Sequence, residues 1–205
     1  SITWSGAAQT AGFSNVGLTT LSSSPISIPV PAGVAAGTYS ATLTVRNSST
    51  TCEQTYSISV QVLATPSLTP GTIAAVCQGS SIASLPYTGA AGGVNQYSIT
   101  WDATAQAAGF APVLQTTLPA SPITVPVSTT APPGTYNGVL TVRNSVTGCE
   151  RSYPISAGIT VLPTITLGNN PEICAGDTEA ELPYTATTHN PDRYHITWDA
   201  GAITA

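Results

Sequence analysis

The chain has 205 residues, 41 % of them hydrophobic and only 6 % charged, against roughly 25 % charged in ordinary soluble domains. Its net charge is −5 and its only cations besides two histidines are Arg46, Arg143, Arg151 and Arg193, too few and too scattered to neutralise a row of phosphates or to hold an anionic membrane surface. Apolar content suffices for cores, but no apolar run nears the ~20 residues of a spanning helix, and the exterior falls to Ser, Thr, Asn, Gln and Gly, which suits an extracellular protein.

In chain order, the opening SITW (1–4) reads as a strand interior to a domain, since nearly the same letters return as YSITWD (97–102) and YHITWD (194–199). SIASLPYT (81–88) predicts a strand, with Pro86 marking an edge or a bulge. In YSITWD, Tyr97, Ile99 and Trp101 alternate with Ser98, Thr100 and Asp102, the period-two pattern of a half-buried strand. DATAQAAGF (102–110) offers one helical turn. Further strands follow at Ile123, Val125 and Val127, then at Tyr136, Gly138, Leu140 and Val142 with Val139, Thr141 and Arg143 facing out, and finally at Ile155, Ala157, Ile159 and Val161. Seven or so short strands between turn residues predict an all-β sandwich.

A repeat organises these strands. Trp4, Trp101 and Trp198 are spaced by 97 residues, and with residues 1–97 laid over 98–194 nearly half of the positions are identical. Phe13 falls on Phe110, Tyr39 on Tyr136, LTVRNS at 43–48 on 140–145, and LPYT at 85–88 on 182–185. Such self-similarity means tandem domains, and the period matches the ~100 residues of an immunoglobulin-like sandwich. Pro- and Gly-bearing stretches at 62–71 and 161–168 differ in length and mark linkers. The expected organisation is therefore the C-terminal part of one repeat at 1–63, a complete repeat at 64–162 and the N-terminal part of a third at 163–205, a window on a longer array. Trp4, Trp101, Trp198, Phe13, Phe110, Tyr39 and Tyr136 are the expected core markers; Tyr136, two residues after Gly134 at the start of the penultimate strand, sits as the tyrosine of a tyrosine corner does.

Cys52, Cys77, Cys149 and Cys174 recur at the repeat spacing with no CxxC pair, which favours structural disulfides over zinc. In a sandwich, Cys149 belongs to the last hairpin and Cys77 to the opposite end. A bond within the domain and a bond across a joint both remain open. His189 and His195 have Gly92 and Ser98 as counterparts, so no metal pair recurs. Glu172, Asp177, Glu179 and Glu181 beside Asn169 and Asn170 carry oxygens of the kind calcium takes, yet the matching stretch 72–84 has no carboxylate. Glu53 and Glu150 recur after a cysteine, and Asp102 and Asp199 after a tryptophan, with nothing to place two of them in one cleft. No nucleophile elbow occurs, and the sequon at Asn47 is lost at Asn144.

The combination PEICAG (171–176), LPYT, YxITWD, SPI, GTYxxxLTVRNS and TGCE (147–150) resembles the immunoglobulin-like or PKD-like tandem repeats of giant secreted surface adhesins of Bacteroidetes-type bacteria. The resemblance covers essentially the whole chain and implies export to the cell surface and a part in adhesion, gliding or stalk formation; it brings no catalytic residue, metal or cofactor. The expected function is that of a non-enzymatic extracellular stalk, spacer or adhesive module. Its partners would be neighbouring repeats, and surface glycans or a host surface where it adheres, with no nucleic acid and no membrane insertion. A surface filament built by lateral packing or strand exchange, with other copies as partners, is the alternative. A carbohydrate-binding accessory module is a third, and it would need Tyr87, Tyr97 and Tyr184 exposed together.

Overall fold

A computed structural model describes residues 1–199. Its elements are β1 (Ile2–Trp4), α1 (Gly6–Thr10), β2 (Gly37–Arg46), β3 (Glu53–Val62), β4 (Ser67–Pro70), β5 (Val76–Cys77), β6 (Ile82–Leu85), β7 (Tyr87–Ala91), β8 (Gln96–Trp101), α2 (Ala103–Ala107), β9 (Val113–Thr117), β10 (Ile123–Pro126), β11 (Gly134–Arg143), β12 (Glu150–Thr160), β13 (Thr164–Leu167) and β14 (Tyr184–Thr188). The fold is all-β apart from two single helical turns. No helix among the described residues is long and apolar enough to cross a membrane.

β4 to β12 form two layers around one core. The five-stranded sheet runs β5-β12-β11-β8-β9, antiparallel except where Val76 and Cys77 of β5 lie parallel to Ile159 and Thr160 of β12. Facing it are the antiparallel pairs β6–β10 and β4–β7. Alternation decides what goes inside: Tyr97, Ile99 and Trp101 of β8, Tyr136, Leu140 and Val142 of β11, and Ile155, Ala157 and Ile159 of β12 join Leu68, Ala83, Leu85, Ile123 and Val125 in one buried cluster. Pro86 does more than bend a strand. It ends β6, which pairs with β10, and starts β7, which pairs with β4, so one stretch of eight residues serves two sheets.

The flanking segments reproduce parts of this arrangement at a 97-residue offset. Ile2, Thr3 and Trp4 pair with Leu43, Thr42 and Ala41 as Ile99, Thr100 and Trp101 pair with Leu140, Val139 and Gly138, and Arg46 opposes Glu53 as Arg143 opposes Glu150. A smaller cluster of Ile2, Trp4, Ala8, Phe13 and Ala41 forms under these strands. Residues 26–29, counterparts of β10, form no strand, and 179–182, counterparts of β6, form none either. Each lacks the partner that the other has in the middle segment. β13 and β14 pair as β4 and β7 do.

One expected core residue is not in a core. Trp198 is 67 % exposed, because Trp101 is buried under residues 105–140, namely Ala105, Phe110 and the strand β11, and nothing equivalent packs on Trp198 among the described residues.

Candidate functional site

The repeated motifs turn out to be devices of local geometry. The residue after each tryptophan caps a helical turn: Asp102 Oδ1 accepts a hydrogen bond from the Ala105 N–H at 2.8 Å, and Ser5 Oγ accepts one from the Ala8 N–H at 3.3 Å. Both residue types are good caps, which explains why serine and aspartate exchange there. Gln106 Nε2 then donates to the Trp101 carbonyl at 2.6 Å and Gln9 Nε2 to that of Trp4 at 2.8 Å. The recurrence of glutamine at this spacing was a signal for that clasp, and sequence reasoning passed over it.

RNS closes the long hairpin. Asn144 Oδ1 accepts from the N–H groups of Val146 and Thr147, and Asn47 Oδ1 accepts in the same way from Ser49 and Thr50. Asn144 Nδ2 also donates to the Gly92 carbonyl at 3.0 Å, fastening the hairpin to the β7–β8 turn. Gly92 is left-handed at φ +69°, and a Cβ there would collide with the Thr65 carbonyl where the chain comes into β4. In the last segment His189 and Asn190 take the same left-handed turn, at φ 57° and 49°. His189 is thus a turn residue, and His195 is exposed.

Glu150 and Glu53 pair with the arginines across the hairpin base, Arg143–Glu150 at 2.8 Å and Arg46–Glu53 at 3.6 Å, all four side chains at least a third exposed. Such pairs contribute ~0–1 kcal/mol. Tyr136 is buried and donates its O–H to the Pro132 carbonyl at 2.7 Å; Tyr39 does the same to Ala35 at 2.9 Å. Phe110 lies between Trp101 and Tyr136, with ring centroids 4.8 and 4.6 Å away, and Phe13 lies between Trp4 and Tyr39. Burial raises the Tyr97 phenol above the ordinary tyrosine range.

The four cysteines are free thiols: Cys52, Cys77 and Cys174 are exposed and Cys149 partly so. The expected disulfide within a unit does not form because Cys149 precedes the start of β12 and Cys77 is opposite Thr160 at its end. Eleven residues at ~3.3 Å each separate those ends by ~36 Å, whereas bridged Cα atoms lie within ~7 Å.

Asp177 Oδ2 accepts from the Cys174 N–H at 2.9 Å, which is a turn contact. No three His, Cys, Asp or Glu side chains among the described residues come together to hold a metal ion. The grooves are open and chemically plain. One of about 320 Å³ runs between Gly71–Ile73 and Pro154–Ser156, and one of about 540 Å³ borders Trp4, Ala41 and Ile58; neither contains a titratable side chain. Tyr97 is buried, Tyr87 is half-buried with its O–H on the Pro119 carbonyl, and Tyr184 is exposed, so the three do not form a common aromatic face. No family model matches the chain, and no curated protein is similar to it.

Proposed function

We propose that the chain is a structural region of a long extracellular protein, built of tandem immunoglobulin-like sandwiches and acting as a stalk, spacer or adhesive module at a bacterial cell surface. The observation that carries this reading is the recurrence, at a fixed 97-residue offset, of the cap after tryptophan, the tyrosine O–H to a carbonyl four residues back, the asparagine hairpin and the Arg–Glu pair. Every repeated residue with an assigned contact serves folding, and the grooves hold no paired acid and base. The work is mechanical: each unit adds length on the order of the ~36 Å of its longest strand and stays folded by its own core. The similarity in motif to PKD-like repeats of Bacteroidetes-type surface adhesins points the same way.

The β5–β12 pair supports a load-bearing role. Tension applied at residues 64 and 162 pulls β5 toward the leading end and β12 toward the trailing end. Two parallel strands are thereby sheared, so the Gln78 N–H to Thr160 carbonyl bond and the Thr160 hydroxyl to Val76 carbonyl bond are loaded together. Stretching single chains should give one dominant rupture, releasing about 300 Å of contour at roughly 3.5 Å per residue. Extension without a force barrier contradicts the load-bearing reading.

In a longer array Cys77, at the trailing end, would meet the hairpin cysteine of a following unit, and loss of two electrons and two protons to a disulfide-exchange partner would join them. This chain holds no such pair, so all four thiols should react with a maleimide; an intrachain bond would refute the assignment. The second reading, a surface filament, is favoured by one observation, the uncovered face of residues 1–62.

A further inference from the structure

We infer that residues 163–194 of one copy dock on residues 1–62 of a second copy, completing there the sandwich that the middle segment completes within one chain. The inference uses the unit-by-unit correspondence of the preceding reading but not its mechanical role.

The acceptor face is apolar and open. Ile26 is 41 % exposed and Leu43, Val45 and Ile58 are half-buried, whereas their counterparts Ile123, Leu140 and Val142 are 0 % and Ile155 8 % exposed. A groove of about 260 Å³ runs along it between Val16, Leu21, Ile26 and Leu43. The middle segment shows what fills this place. Leu85 pairs with Ile123 in the β6–β10 ladder, the Tyr87 N–H donates to Ser121 Oγ at 2.9 Å, and the Tyr87 O–H donates to the Pro119 carbonyl.

The donor carries the same groups, unused. Leu182 and Tyr184 are the counterparts of Leu85 and Tyr87 and are 41 % and 63 % exposed; Ile165, the counterpart of Leu68, is 46 % exposed. Docked in the same register, Leu182 sits opposite Ile26 and Ala180 opposite Ile28. The Tyr184 N–H reaches Ser24 Oγ, and its O–H reaches the Ser22 carbonyl. Glu179 and Glu181 replace the outward-facing Ile82 and Ser84, so their charges stay in water. One counterpart is unfavourable, since Asn170 stands for the buried Ile73. Residues from 195 on duplicate residues that the acceptor already has, so the donated piece ends at 194.

Because donor and acceptor are different surfaces of one chain, the contact is heterologous and propagates head to tail rather than closing as a two-fold dimer. Light scattering on the full 205-residue chain over a concentration series tests this. The mass should rise from one chain, 20.7 kDa, through successive multiples. Leu182→Asp and Ile26→Asp each alter a side chain already exposed in the free chain, and each should leave a single chain at every concentration. Mixing the two variants should restore a one-to-one dimer and nothing longer, because one keeps a sound acceptor and the other a sound donor. A wild-type chain that stays single, variants that assemble like wild type, or a mixture that forms no dimer would each overturn the inference. The rupture seen on stretching is independent of all three outcomes.

Discussion

At the scale of single residues, the repeated letters correspond to contacts whose loss is measurable. Asp102→Ala should cost about 1 kcal/mol, as removal of a helix cap does, while Asp102→Ser should be nearly neutral because Ser5 already does the same work in the first segment. Urea titration of both variants checks the pair. Tyr136→Phe removes one buried hydrogen bond, the one to Pro132, and should lower stability by about 1 kcal/mol. Tyr97 carries a pH effect with a definite sign. Burial raises its folded pKa, so the unfolded chain releases this proton first; the contribution is intact below about pH 10 and lost as pH rises through the folded value. Tyr97→Phe should therefore flatten the alkaline loss of stability seen in urea titrations between pH 9 and 11; an unchanged slope would place the cause elsewhere. The core aromatics and the tyrosine corner were legible in the sequence because spacing alone identifies them. The cap was not, since Ser5 and Asp102 look unlike until the Ala8 and Ala105 amides are seen beneath them.

At the scale of elements, alternation located β8, β10, β11 and β12 with their inward faces, because each of these strands has one wet and one dry side. It did not reveal that Pro86 hands the chain from one sheet to the other. β5 was also hidden: two residues have no periodicity, and Val76–Cys77 is a strand only because β12 lies beside it. The two cysteines were placed correctly at opposite ends of the unit, and the intradomain bond fails for that reason. Leu85 and Leu182 separate sequence from context most sharply. They are identical in motif, yet Leu85 is 0 % exposed and Leu182 41 %. Leu85→Ala should cost 2–5 kcal/mol as a core truncation, measured as a shift in the urea midpoint. Leu182→Ala should leave the middle unit's midpoint unchanged in the dilute chain. Equal losses at the two sites would mean that the last segment folds into a core of its own.

At the scale of the whole molecule, the account rests on residues 64–162 being a self-contained unit whose core borrows nothing from the residues on either side. The 97-residue period announced that unit, but it could not announce how incomplete the flanking copies are. Trp198 was expected in a core by analogy with Trp101 and is exposed for want of the strands that cover its counterpart. Hydrogen exchange on the dilute full-length chain is the most direct test. Amides of β8, β11 and β12 should share one high protection, set by cooperative opening of the middle unit. Those of β2 and β3, paired in the same register over a half-open core, should exchange markedly faster, and those of β13 and β14 faster still. Equal protection of β2–β3 and β11–β12 would contradict the account, because stability would then come from the hairpin itself rather than from the completed sandwich.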